Sequence, residues 1–384
     1  MRILFWTGSF WPHIGGADVM ATRLVVALRE RGHQVLVVTG RSDPELPAEE
    51  GYHGIPVRRF DFWETLHSGS LEGFVAMRSA VGALKREFRS DIIHLAFLGP
   101  DVIFHLETAR AYAAPTLVTV QQAGIHAWGN QPDTVLGRAL RAADWAVYCS
   151  QAMRREMEGV IPELASRSSV IPNALDPPSE QPTPLPEEPR VLCMGRMVRD
   201  KGFDLAVRAF DTLAGQWPAA RMTLVGEGPA RAELEDLVGQ LGLENRVEFP
   251  GWIAPDSIPA VINRASVLLV PSRREAFGLV ALEAMLMGRP VLASDLGGLP
   301  EVVAHGRTGI LVPPDRVDAL AQALAWILRN PGKAAAMGAE GRRLARKQFS
   351  WTGHVDAYEA LYRQLDRPEE DVGHESGSGA AIHT

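Results

Sequence analysis

Seven prolines crowd the stretch from residue 172 to 189: Pro172, Pro177, Pro178, Pro182, Pro184, Pro186 and Pro189. Proline fixes φ and lacks an amide hydrogen, so neither a helix nor a central strand tolerates that density. The stretch reads as a semi-rigid linker that divides the chain into two folded parts. With 384 residues, each part is long enough to bury a core of its own.

On both sides of the linker, short apolar runs alternate with amphipathic segments of helical period. The first part offers strands at Ile3–Trp6, Gln34–Thr39, Asp91–Leu95, Thr116–Val120 and Trp145–Tyr148. Helical patterns fall at about 17–30, 71–88 and 132–141. After the linker, strands are expected at Arg190–Met194, Arg221–Val225, Arg246–Phe249, Val267–Val270, Pro290–Ala293 and Gly309–Val312. Apolar, β-branched strands alternating with helices specify parallel sheets covered on both faces. The expected class is α/β, with two doubly wound Rossmann-like domains facing a central cleft. The divisions are 1–173, the linker 174–189, 190–349, a helix at 350–366 packing back on the first domain, and a Gly/Ser-rich disordered tail at 367–384. Trp351, Tyr358 and Tyr362 form the apolar stripe of that last helix.

Composition removes several classes. The net charge of −7 argues against a nucleic-acid footprint, and the group Arg138, Arg141, Arg154, Arg155 and Arg167 reads as a solvated face. Two cysteines, Cys149 and Cys193, cannot make a disulfide framework and suit small core positions. No apolar run reaches membrane-spanning length, so a cytoplasmic protein is expected, with at most a peripheral contact at the inner face of the membrane.

Two such domains place their ligand loops at the carboxyl ends of the strands. Gly15-Gly16 follows the first strand and opens a helix, where backbone can approach an anion. Gly195-Arg196-Met197-Val198-Arg199-Asp200-Lys201-Gly202 follows the first strand of the second domain. Arg196 and Lys201 there suit a diphosphate. Glu275-Ala276-Phe277-Gly278-Leu279-Val280-Ala281-Leu282-Glu283 follows Val267–Val270, and a helix is expected to begin near Phe277 or Gly278. Its free amides make an anion site, Glu275 stands just before it, and Glu283 lies about two turns further on. Asp295 to Glu301 forms a glycine turn that reads equally as a pocket wall or as a plain turn. Trp11, Trp63, Phe97, His126 and Trp128 offer aromatic surface in the first half, which core packing explains as well.

Together these segments resemble the retaining glycosyltransferases of family four, which have the GT-B fold. The likeness rests on the Glu-x7-Glu pattern of Glu275 and Glu283, on Gly195-Arg196 with Asp200-Lys201-Gly202, and on Val225-Gly226-Glu227-Gly228-Pro229. It extends to Pro290–Glu301, Gly15-Gly16 and the closing helix from Ser350-Trp351, covering about residues 1–365. The resemblance implies that Arg196 and Lys201 contact the donor diphosphate, Glu275 the transferred sugar and Glu283 the ribose. It implies that the backbone of Phe277, Gly278 and Leu279 holds sugar or phosphate, and that Trp252 and Ile253 lie against the base. Front-face attack assisted by the leaving phosphate would retain the anomeric configuration without a protein nucleophile. No Asp-x-Asp triplet occurs, and neither a metal nor another cofactor is expected. UDP is the favoured nucleotide; the acceptor is a small molecule, a glycan or a lipid-linked sugar. One position departs from the family pattern. Gln121 stands where family members usually carry a histidine, and either Gln121 or His126 serves that place. A nucleotide-sugar epimerase and a catalytically inactive nucleotide-sugar-binding protein are the competing functions.

Overall fold

The computed structural model describes residues 1–12, 16–97, 99–121 and 134–366. Its first sheet holds β1 (Arg2–Thr7), β2 (Gln34–Gly40), β3 (Glu49–Tyr52), β4 (Ile55–Phe60), β5 (Ile92–Phe97), β6 (Thr116–Val120), β7 (Trp145–Tyr148) and β8 (Ser168–Val170). Their spatial order is β3-β4-β2-β1-β5-β6-β7-β8, parallel throughout except for the β3–β4 hairpin. The second sheet holds β9 (Arg190–Met194), β10 (Arg221–Val225), β11 (Val247–Gly251), β12 (Val267–Val270), β13 (Val291–Ser294) and β14 (Gly309–Val312). Its order is β11-β10-β9-β12-β13-β14, all parallel. Strand order thus reverses beside β9, and a ligand crevice opens at such a reversal. The loops after β9 and β12 flank it.

Eight-residue and longer helices cover the sheets, and buried strands such as Val267–Val270 have no solvent face. One apolar cluster runs from Trp6, Tyr148 and Cys149 of the first domain through Ala276 and Phe277 into the second. The two cysteines are free and buried. The arginines of the first half are largely tied down rather than presented as a basic patch. Arg141 pairs with Glu163 at 2.8 Å, Arg154 with Glu158 at 2.6 Å, and Arg167 donates to the carbonyl of Arg141 at 2.8 Å.

The proline-rich stretch is pinned to the second domain. The buried Arg289 guanidinium donates to the Thr183 carbonyl at 2.7 Å and to the Asn263 carbonyl at 2.7 Å, and Asn263 in turn donates to Glu180 at 2.7 Å. Prolines without amide hydrogens demand few partners, and Arg289 and Asn263 supply most of the fixings.

The helix Trp351–Leu365 crosses to the first sheet. Val355, Tyr358, Leu361 and Tyr362 share a buried cluster with Ile3, Phe5 and Val37. Its polar atoms are matched across 239 to 268 residues of sequence: His94 bonds the Tyr362 hydroxyl at 2.6 Å and Thr119 at 2.7 Å, and Thr119 meets the Tyr358 hydroxyl at 3.1 Å. Burial pushes the His94 imidazole down to about 3, so it stays neutral with one donor and one acceptor nitrogen. Tyr362→Phe leaves a buried His94 nitrogen unpaired and should cost about 1–3 kcal/mol. A urea midpoint identical to that of the unsubstituted protein would remove this network from the account of how the last helix is held.

Candidate active site

The loop after β9 carries Arg196 and Lys201. It is held by backbone bonds to the next loop, with Gly195 N–H reaching the Val225 carbonyl at 3.0 Å and Met197 N–H the Glu227 carbonyl at 2.8 Å. Arg196 is exposed and, among the described residues, has no ion-pair partner. Lys201 ends a short 3-10 turn, Arg199–Lys201. The Asp200 carbonyl accepts the Arg273 N–H at 2.7 Å, which ties that turn to the loop after β12.

Glu275 lies on that second loop. Lys201 Nζ donates to Glu275 Oε2 at 2.7 Å, and Ser272 Oγ donates to the same oxygen at 3.3 Å. The carboxylate is 10% exposed and the ammonium 32% exposed, so the pair is partly shielded with its cation toward solvent. Arg273 fixes the loop from behind by a two-armed contact with Asp204 at 2.7 and 2.8 Å.

The helix expected near Phe277 or Gly278 runs from Leu279 to Leu286, with Gly278 as its N-cap. Gly278 has φ 105°, and a Cβ there would meet Leu299 at 2.7 Å, so only glycine fits the turn. Its carbonyl takes the N–H of Ala281 at 3.0 Å and of Leu282 at 3.2 Å. The amides preceding these have no intrahelical acceptor and bring the positive end of the helix beside Lys201 and Glu275. The Phe277 ring is buried edge-on to Phe349 at 5.6 Å, which leaves its backbone as the usable part. The glycine turn after β13 packs onto this segment: Gly297 has φ 54°, and a Cβ would lie 1.9 Å from the Glu275 carbonyl oxygen. Close packing, beyond a simple reversal, therefore explains these glycines.

Glu283 is half-buried within the helix and has no ion-pair or hydrogen-bond partner among the described residues. Desolvation pushes its carboxyl up to about 7, against the opposing pull of the Arg23 charge. Trp252 follows β11 and is 55% exposed, with Ile253 half-buried beside it. Gly16 opens the helix Gly16–Glu30 in the first domain. Gln121 is half-buried just past the end of β6. His126 and Trp128 lie outside the described residues, as do Gly15 and the tail 367–384. Trp11 and Trp63 are 41% and 49% exposed, so core packing does not account for them. The structure thus brings Lys201, Glu275 and the start of the Leu279–Leu286 helix together, with Arg196 on the same loop as Lys201. Three residues in contact with these segments went unassigned in the sequence: Ser272, Ser150 and Glu301. Ser150 carried a signal, a helix-capping residue directly after an apolar strand.

Comparison with known proteins fits this geometry. A model described as "Glycosyl transferases group 1" matches residues 178–344, and one described as "Glycosyltransferase Family 4" matches residues 14–178. A D-inositol 3-phosphate glycosyltransferase from Kineococcus radiotolerans is 30% identical over 404 residues, which span 93% of this chain and 92% of that protein. The chain belongs to glycosyltransferase family 4. The family-4 enzyme also aligns with a GDP-mannose-dependent phosphatidylinositol monomannoside mannosyltransferase from Mycolicibacterium smegmatis, at 31% identity over 67% of this chain and 70% of the relative. Sucrose-phosphate synthase from Thermosynechococcus elongatus superposes with a TM-score of 0.79 at 26% identity, covering 95% of this glycosyltransferase and 99% of that chain. Two parallel α/β units in this arrangement are the GT-B fold. Among the described residues, no helix is long and apolar enough to cross a membrane.

The pH dependence of stability follows from Glu283. Its folded value of about 7 exceeds its ordinary 4.5, so the folded state holds a proton that the unfolded chain releases. Stability is therefore lost as pH rises from about 4.5 to 7. Glu283→Gln should stabilise the protein by about 1–3 kcal/mol at pH 8, with no gain below about pH 4. Urea midpoints at the two pH values check this; a gain that is the same at both would contradict it.

Proposed function

We propose that this glycosyltransferase transfers a sugar from a nucleoside-diphosphate sugar, with UDP as the favoured nucleotide, and retains the anomeric configuration without a metal ion. The observation that carries the reading is the Lys201–Glu275 pair at the amino end of the Leu279–Leu286 helix. A donor diphosphate entering there exchanges the Lys201 contact with Glu275 for one with phosphate oxygen, and the released Glu275 carboxylate accepts from sugar hydroxyls. Arg196, exposed on the same loop as Lys201 and without an ion-pair partner among the described residues, supplies the second cation. Two fixed cations and a helix terminus neutralise the charge that develops as the glycosidic bond breaks, the task that a metal performs elsewhere.

In the front-face route, an acceptor hydroxyl oxygen bonds to the anomeric carbon on the side from which the diphosphate leaves. The electron pair of the broken C–O bond passes to the β-phosphate oxygen, which then takes the acceptor proton. No side chain becomes covalently attached. Glu283 near neutrality suits hydrogen bonding to ribose hydroxyls, because either protonation state can pair with them. Exposed Trp252 offers a face for the base. Gln121 or His126 would line the acceptor side of the sugar.

A panel of UDP-, GDP- and ADP-sugars with extracted acceptors, read by mass spectrometry, tests the reading. GDP-mannose belongs in the panel because the name of the mycobacterial relative specifies it. Turnover of a UDP-sugar that persists in EDTA is expected; abolition by EDTA and restoration by a divalent ion would overturn metal independence. Lys201→Ala and Arg196→Ala should each lose about 2–4 kcal/mol of transition-state stabilisation, a drop of roughly 30- to 1,000-fold in turnover. Turnover at the unsubstituted rate in either variant would remove that residue from the diphosphate site.

A further inference from the structure

The two domains touch beside the donor loops through residues with no role in the chemistry. Ser150 caps the helix Gln151–Val160 of the first domain, its Oγ accepting the Met153 N–H at 3.1 Å. The same hydroxyl donates at 2.7 Å to the carbonyl of Ala276, the residue after Glu275. Cys149 Sγ approaches that carbonyl at 3.6 Å. From the second domain Glu301 returns the contact. Its carboxylate accepts the Gln151 N–H at 2.8 Å and the Ala152 N–H at 2.7 Å, so it occupies the amino end of that helix with both oxygens. Charge-assisted bonds from free helix amides, reinforced by the dipole, fix a carboxylate firmly.

Glu301 is also joined to the catalytic loop. Gly298, in the same turn, donates its N–H to the Glu275 carbonyl at 3.1 Å. The segments bearing Glu275, Ala276 and Glu301 are thus one bonded unit, and a single helix terminus of the first domain holds it at two points.

We infer that Ser150 and Glu301 are positioning residues, forming an interdomain clasp that sets the Glu275 loop at a fixed register against the first domain's side of the sugar site. The transferase reading supplies what the clasp positions. The residues assigned to the diphosphate, ribose and base (Arg196, Lys201, Glu283, Trp252) all belong to the second domain, so the clasp governs turnover and leaves nucleotide affinity within about two-fold.

Two variants break the clasp from opposite sides. Glu301→Gln removes the charge and one of the two acceptor oxygens. Gln151→Pro removes one donor at the first position of the helix, where proline is tolerated. The preceding Ser150 has φ −155° and ψ 159°, the extended conformation that a residue before proline prefers, so the helix itself should persist. Nucleotide release from UDP-glucose or GDP-mannose, whichever the unsubstituted enzyme turns over, should fall at least about ten-fold in each variant. Calorimetric affinity for UDP or GDP should stay within about two-fold, and the double variant should be no slower than the slower single one, because both changes break one contact. Small-angle scattering should show a larger radius of gyration in both variants. Unsubstituted turnover in Gln151→Pro, or nucleotide affinity falling in step with turnover, would overturn the clasp. If the unsubstituted enzyme turns over neither donor, the choice of donor fails and not the clasp, and scattering alone decides: an unchanged radius in both variants overturns the clasp and an increase supports it.

Discussion

Lys201 and Glu275 meet at 2.7 Å across the point where strand order in the second sheet reverses. Seventy-four residues separate them in sequence, and the parallel topology is what brings their loops together. The carboxylate is mostly buried and the lysine partly open, so the cation is within reach of an anion. Much of the surrounding structure serves to hold these two loops: Arg273 against Asp204, the Asp200 carbonyl on the Arg273 amide, and the close seating of Gly297 on the Glu275 carbonyl. A partly shielded ion pair is poor evidence for stability in itself. Here it keeps a cation and a carboxylate poised at a helix terminus.

The first domain is tied to the second at two points. The last helix returns to the first sheet through Tyr358 and Tyr362, whose hydroxyls meet Thr119 and His94. Thr119 lies two residues before Gln121, just past the end of β6. The second tie is the Ala276–Ser150 contact, one residue beyond Glu275. The two domains are therefore built from elements that brace one another. A transfer reaction requires that, since the attacking oxygen and the anomeric carbon belong to different molecules held by different domains.

Much of this was legible in the sequence, and the exceptions have physical causes. Thr116–Val120, Trp145–Tyr148, Arg190–Met194, Arg221–Val225, Val267–Val270 and Gly309–Val312 form strands with the expected bounds, because buried parallel strands are written as unbroken apolar runs. The hairpin of β3 and β4 escaped notice: the edge strand Glu49–Tyr52 is polar, and Ile55–Phe60 beside it is broken by Pro56 and two arginines. Its turn, His53-Gly54 with φ 48° and 73°, was the signal available. β8 spans three residues, too short for any period. Arg196, Lys201 and Glu275 stand out in the sequence as charges on loops at strand ends, and the fold brings Lys201 and Glu275 into contact. Glu301 was visible merely as the end of a glycine turn; its partners are amides about 150 residues away, and backbone donors leave no mark in a sequence. The unpartnered burial of Glu283 likewise belongs to packing rather than to pattern.

The central claim is that the donor diphosphate takes Lys201 from Glu275. The direct measurement is a crystal structure of the protein soaked with UDP-glucose or GDP-mannose. The account predicts Lys201 Nζ within hydrogen-bonding distance of a phosphate oxygen, Glu275 turned to a sugar hydroxyl, and the diphosphate at the amino end of the Leu279–Leu286 helix. A nucleotide sugar bound with the Lys201–Glu275 bridge still closed, or bound away from that helix, would contradict it.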